Sequence, residues 1–291
     1  MKMIKKAAPV FVTGAAVLWG ILVIFIKNLS GAGLGSMEIV TLRVYGSALV
    51  LGAGLLLYNK KLFTVRLKDL WCFAGTGIVS IVFFSYCYFK NVTVSSVAVS
   101  SILMYTSPVW VTLLSRVVFG ERLNRSKLTA LIMAVAGCAL VCGICGGVGR
   151  LSMEGLLLGL GSGIGYGLYS IFGRVALQKG YHPMTVSVYT FLFACLGVLP
   201  FVDMGALAGK MAAVPDLWGW AAAMVLLSTC MSFTLYTIGL KYMEAGRAAV
   251  LATLEPIVTA CVGVVVYQEA LTPFMILGMI LVLAASVLIS R

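Results

Sequence analysis

Ten apolar runs follow one another along the chain, at about residues 8–27, 38–58, 70–89, 96–116, 128–146, 155–174, 184–203, 217–240, 246–267 and 273–290. Each has the ~20 residues that a helix needs to cross ~30 Å of hydrocarbon. Polar positions collect in the gaps, which are too short to hold a separate soluble domain. The pattern predicts an all-α integral membrane protein with ten transmembrane helices. Lys2, Lys5 and Lys6 precede the first run, as in a signal peptide, but the run from Ala7 to Ile26 is too long for one. It reads as the first span.

The pattern also repeats. Trp19-Gly20 precedes Tyr166-Gly167 by 147 residues, as Lys27 precedes Arg174 and Met37 precedes Met184. Pro108 precedes Pro256 by 148, and Gly120-Glu121-Arg122-Leu123 precedes Gln268-Glu269-Ala270-Leu271 by 148. A general likeness among apolar helices does not account for matched Pro and Glu. Five spans separate the copies. A five-span block inserted twice in a membrane faces opposite ways, so the reading is two inverted five-helix repeats, residues 1–147 and 154–291.

Composition agrees: 62% of residues are hydrophobic and 10% charged, which leaves no polar surface for a soluble domain. The net charge of +12 raises the question of nucleic acid. Its placement answers differently. With the N-terminus cytoplasmic, sixteen of the 21 Lys and Arg fall in inside segments, four outside, and Arg43 within a span. That is the positive-inside bias of a multi-pass cell-membrane protein with both termini cytoplasmic, with no nucleic-acid partner implied. Equivalent loops carry opposite character, as inversion requires. Arg116, Arg122, Arg125 and Lys127 follow the fourth run, whereas 268–272 has no positive charge.

Several residues carry candidate chemistry. Pro108 and Pro256 sit near the middles of the fourth and ninth runs and lack an N–H, so the carbonyls of Met104 and Ala252 lose their helical donors. In lipid such carbonyls need protein or a wet cavity, so both prolines are candidate kinks or hinges beside a cavity. Glu255 lies near mid-membrane, where it can bind a substrate ammonium, carry a coupling proton, or hold helices together. Its first-half counterpart is Ser107. Arg43 can attract an anion, but snorkelling or pairing with a carbonyl is preferred. Glu38, five residues away, points to another face.

Other features point to no cofactor, metal or enzyme. Cys138, Cys142 and Cys145 have a spacing that can ligate a cluster, but on a helix it is an apolar stripe. The other five cysteines are scattered in spans and imply no disulfide. His182 is the only histidine, read as a surface residue in a loop. Gly155, Gly159, Gly163 and Gly167 space the sixth run for close helix approach. No nucleotide-binding glycine loop is present.

The chain resembles the EamA-type, ten-helix members of the drug/metabolite transporter superfamily. The residues that carry the resemblance are Trp19-Gly20, Arg43, Pro108 with Gly120-Glu121-Arg122-Leu123, and Leu254-Glu255-Pro256 with Glu269-Ala270-Leu271. Gln268 stands where the family has Gly, which bears on the turn geometry there. The resemblance implies a secondary transporter of a small organic metabolite, an amino acid or related solute, working as an exporter by alternating access. It also implies a cavity lined by the first, third, fourth, sixth, eighth and ninth spans. Polar-aromatic residues fall where that cavity would be: Trp19, Tyr86, Ser101, Tyr105, Tyr166, Tyr169, Ser170, Ser232 and Tyr236, with Glu255. Taken singly, each is better read as an interface residue or one between packed helices. The competing reading is a flippase or enzyme acting on a lipid or lipid-linked substrate. An enzyme would need a carboxylate pair, a triad or metal ligands, and the sequence offers none; large soluble loops, the mark of a receptor or chaperone, are also missing.

Overall fold

The computed structural model describes residues 2–144 and 152–290, and among these the chain is helical without strands. Cys145, Arg150 and Arg291, which enter the readings above, lie outside the described residues. Among the described residues, nine helices are long and apolar enough to cross a membrane: α1 (Lys6–Gly31), α2 (Ser36–Tyr58), α3 (Leu67–Val94), α4 (Val97–Phe119), α6 (Met153–Gln178), α7 (Pro183–Phe201), α9 (Asp216–Tyr242), α10 (Ala245–Tyr267) and α11 (Pro273–Ser290). The expected fifth span is α5 (Arg125–Val141), shorter than these at 17 residues. It lies along α11, where Gly137 and Gly278 bring the two backbones together. A Cβ on either glycine would fall within 2.7 Å of the other's carbonyl oxygen.

One helix was not expected. The gap after the seventh run holds α8 (Met204–Ala213). Asp203 caps it, accepting from the N–H groups of Gly205 at 2.8 Å and Ala206 at 3.1 Å. Leu207 and Met211 bury its inner face against Phe25, Leu29 and Leu34. Lys210 reaches Glu38 at 2.8 Å and the Gly33 carbonyl at 3.2 Å, tying α8 to the gap between α1 and α2. His182, read as a loop surface residue, is partly buried and caps α7 through Nδ1, which accepts the Met184 N–H at 3.3 Å.

Two spans are interrupted at their middles by two residues, and α1 by one, Ile21. α4 stops at Met104 and restarts at Ser107, and α10 stops at Ala252 and restarts at Glu255. Pro108 and Pro256 each sit in the first turn of the second half-helix. There a missing N–H is harmless, because first-turn donors have no intrahelical acceptor anyway. Ser107 and Glu255 are each the eleventh residue of a 23-residue span, at its middle.

Two other spans are widened. α3 is π-helical over Gly75–Phe83 and α9 over Met224–Met231, segments near the same place in each half. An apolar run reads alike whether it is wound with α or π turns, so the sequence carries no mark of them. In α3, Gly77 packs on the α7 backbone: a Cβ there would lie 2.3 Å from the Thr190 carbonyl oxygen.

Candidate functional site

The two restarts open onto one cavity, with about 760 Å³ of empty space including its mouth. α1 contributes Trp19, α2 Arg43, α3 Ser80, Phe84 and Ser85, and α4 Ser107 and Val111. α6 contributes Tyr166, Tyr169 and Ser170, α9 Phe233 and Tyr236, and α10 Ala249, Ala252 and Glu255. All six helices that the resemblance implies are present in the wall, and α2 joins them through Arg43.

The matched dipeptides Trp19-Gly20 and Tyr166-Gly167 have one architecture. Their rings face the cavity and meet each other edge to face, with centroids 6.3 Å apart. Their glycines let α1 and α6 press against the two restarts. A Cβ on Gly20 would lie 2.9 Å from the Glu255 carbonyl oxygen, and one on Gly167 would lie 3.3 Å from that of Ser107. Thr259 also donates to the Gly20 carbonyl at 3.2 Å. Any side chain at Gly20 would push α1 off the break it covers.

Around the rings the polar atoms are largely spoken for. The Tyr166 hydroxyl donates to Glu255 Oε2 at 2.8 Å. Tyr169 Oη lies 2.7 Å from Thr237 Oγ1, and Ser170 Oγ lies 2.7 Å from Tyr236 Oη. Trp19 packs on Phe233 and Tyr236 at 5.3 and 5.1 Å. Together these give a mostly apolar wall, rich in aromatic rings, with a few fixed hydroxyls and two charged side chains, a composition suited to a small organic solute.

Six of the residues singled out from the sequence share this wall: Trp19, Tyr166, Tyr169, Ser170, Tyr236 and Glu255. Four lie elsewhere. Tyr86 is 41% exposed and stacks near Phe201 at 5.2 Å. Ser101 bonds the Tyr88 hydroxyl at 3.1 Å. Tyr105 is buried behind the wall in a cluster with Met104, Cys138 and Val282. Ser232 donates to the Ser228 and Thr229 carbonyls of its own helix. Cys138 and Cys142 belong to the cluster around Tyr105, and no metal-binding group of His, Cys, Asp or Glu occurs among the described residues.

Sequence reasoning passed over Arg43, for which a structural role was preferred, and also Ser80, Phe84, Ser85 and Phe233. Phe84 and Phe233 gave no signal in the sequence, since each stands just beyond a π-helical segment that an apolar run does not mark. Phe233 meets Trp19, and Phe84 meets Tyr166 at 5.2 Å. No signal exists for Arg43 either, because α2 is apolar all round and its face cannot be read from periodicity.

Two ion-pair sites bracket the cavity at opposite ends of α10. Beyond its finish, Glu269 takes Lys27 of α1 at 3.0 Å. At its start, Glu121 accepts the N–H groups of Ala245 at 2.8 Å and Gly246 at 3.4 Å. Glu121 also takes Lys127 of α5 at 2.8 Å, with Arg174 of α6 at 3.9 Å. Lys127 further reaches Glu244 at 3.4 Å, and Arg174 donates to the Met243 carbonyl.

Known proteins share this plan. A solved crystal structure superposes on 97% of this chain and 96% of its own with a TM-score of 0.81 at 18% identity, a likeness of fold. An Archaeoglobus fulgidus protein described as an uncharacterized transporter is 28% identical over 197 residues, 68% of each chain. A second uncharacterized transporter of that organism is 26% identical over 276 residues, 94% of this chain and 95% of its own. The threonine/homoserine exporter RhtA of Escherichia coli K12 is 26% identical over 208 residues, 69% of this chain and 65% of the exporter. The sequence profile of the EamA-like transporter family matches residues 6–143 and again residues 153–291. With both stretches matched, this multi-pass membrane protein belongs to the EamA-like transporter family.

Proposed function

We propose that the chain exports a small organic metabolite, an amino acid or related solute, across the cell membrane by alternating access. The observation that carries the proposal is the cavity at mid-span where α4 and α10 both restart, walled by residues of both matched stretches. A broken helix exposes backbone groups that lipid does not tolerate but a solute site can use. In this reading α5 is the fifth of ten spans. The halves, 1–147 and 154–291, are inverted copies that rock about the cavity, with both termini in the cytoplasm. Support for inversion comes from the crosswise ion pairs: Lys27 meets Glu269, and its counterpart Arg174 approaches Glu121. The amino-acid direction is supported by the likeness to RhtA.

A metabolite-release comparison tests the reading. Cells overproducing the protein should accumulate at least one small solute in the medium faster than cells overproducing a Trp19→Ala variant at matched membrane abundance. Identical release profiles across the small-molecule range would sink it, and faster uptake instead of release would reverse the direction.

A further inference from the structure

Resting on that transport reading, the two charged side chains of the cavity wall point to what the solute must carry. Arg43 and Glu255 line the same cavity, yet among the described residues neither lies within 4.0 Å of an opposite charge. Arg43 Nε donates to the Thr229 hydroxyl at 3.3 Å. Its two terminal nitrogens hold four of the five guanidinium N–H groups. They bond no described residue, and they are not sealed in protein. Glu255 is the mirror case. Oε2 accepts from Tyr166 at 2.8 Å, the Tyr105 hydroxyl also approaches the carboxylate, and Oε1 is not sealed in protein.

A charge at the centre of a membrane span is costly unless a partner or water meets it. Here one cavity holds a cation and an anion that act on each other across open space without touching. A purely anionic solute answers Arg43 and leaves Glu255 unmet; a purely cationic one does the reverse. A solute with both charges answers both. The planar guanidinium suits a carboxylate taken through two parallel N–H groups. Glu255 is the first residue of a half-helix, whose N-terminal peptide dipoles attract a carboxylate.

We propose that Arg43 and Glu255 are the two poles of a zwitterion site: Arg43 takes the solute's carboxylate, Glu255 takes its ammonium, and the uncharged part lies on the rings of Trp19, Phe84 and Phe233. Arg43 is therefore a specificity-determining residue, and recognition depends on both charges of the solute being present on one molecule.

The test uses the purified full chain in phosphatidylethanolamine–phosphatidylglycerol vesicles. Vesicles are loaded in turn with each radiolabelled common L-amino acid, with the amine left by decarboxylating it, and with the acid left by removing its amino group. A panel of sugars and dicarboxylates is run alongside. The wild type should release at least one amino acid while releasing its amine and acid counterparts at least about tenfold more slowly, the factor set by losing one charged hydrogen-bonding partner. Arg43→Gln should slow the amino acid at least about tenfold and leave the amine unchanged. Glu255→Gln should slow the amino acid and leave the acid unchanged. Arg43→Lys, which keeps the charge, should fall between wild type and Arg43→Gln and guards against a variant that merely misfolds. Counterparts released as fast as the amino acid would overturn the proposal, as would equal losses for all three solutes in both variants. Release of sugars or dicarboxylates alone would overturn it and leave the transport reading standing. Release of nothing by monodisperse wild type would end both.

Discussion

α4 and α10 finish in the same turn in different surroundings. Glu121 and Glu269 each follow a residue in the left-handed conformation, Gly120 at φ 66° and Gln268 at φ 56°. Each N–H reaches back six residues, Glu121 to the Ser115 carbonyl at 3.3 Å and Glu269 to that of Gly263 at 3.0 Å. The backbone is shared, but the side chains part company. Glu121 is 7% exposed and ties α4 to α5, α6 and the start of α10. Glu269 has a half-exposed side chain and one partner, Lys27, which also lies over the Tyr267 ring. A motif fixes where a carboxylate stands, and its neighbours decide what that carboxylate is worth. One end of the cavity is locked in this conformation, and the other is only latched.

The largest expected effect breaks the lock. Glu121→Ala strands Lys127, 2% exposed, without its main partner. Removing one member of a buried pair costs about 3–5 kcal/mol. Unfolding in detergent should show a loss of that order, and Glu269→Ala should not approach it. Equal losses would erase the comparison. Combining Glu121→Gln with Lys127→Met keeps acceptors for Ala245 and Gly246 and removes the stranded charge. The double variant should therefore be more stable than either single variant.

Acid sharpens the same point. Burial pushes the Glu121 carboxyl up, but the Lys127 ammonium and the Ala245 N–H pull it down further, so it lies below the ordinary 4.5. A carboxylate with a depressed folded value contributes stability that is complete above 4.5 and is lost as pH falls through the lowered value. The stability gap between wild type and Glu121→Gln should stay flat from neutral pH down to about 4.5 and close below it. A gap that closes between pH 7 and 5 would contradict the assignment of the lock to this carboxylate.

A smaller effect tests the shared backbone. Gln268 is the one non-glycine residue with positive φ among the described residues. It holds the turn that glycine holds in the first half, at the cost a side chain incurs in the left-handed region. Gln268→Gly should gain about 1 kcal/mol, and Gly120→Gln should lose about as much, because a Cβ at Gly120 meets nothing within 4 Å and only the backbone term remains. No change at either position would mean that the two turns are not equivalent.

These regions also show what the chain revealed before its structure. The spans followed from their apolar runs, and the prolines marked the two breaks because proline has a fixed physical consequence. Trp19 with Tyr166, and Ser107 with Glu255, were found as matched positions. They meet around one cavity, which residues of both family-matched stretches line. The rest left no trace. The π segments of α3 and α9 keep the same composition as α-helix, and they turn Phe84 and Phe233 inward without any change of pattern. The direction of Arg43 is invisible in a helix that is apolar all round. Tyr86 was chosen as a polar aromatic, but the same chemistry suits the surface position it occupies. α8 escaped notice because its ten residues are about half of what a span needs, and a search for spans passes over them.

The smallest effect concerns the latch. Glu269 and Lys27 expose 55% and 45% of their side chains, so solvent and salt screen the pair, and such pairs contribute ~0–1 kcal/mol. Glu269→Gln should therefore lower stability by less than about 1 kcal/mol, and the loss should vanish in high salt as the Debye length shrinks from ~10 Å at 0.1 M to ~3 Å at 1 M. The loss in Glu121→Gln should survive the same salt, because its charges are shielded by protein. Melting curves of both variants at the two salt concentrations decide the matter. If the two ends exchange roles during transport, the exposed pair of this conformation becomes the buried pair of the other. A salt-insensitive loss of several kcal/mol at Glu269, with a screened one at Glu121, would mean that the protein rests in the opposite conformation, with the Glu269 end locked.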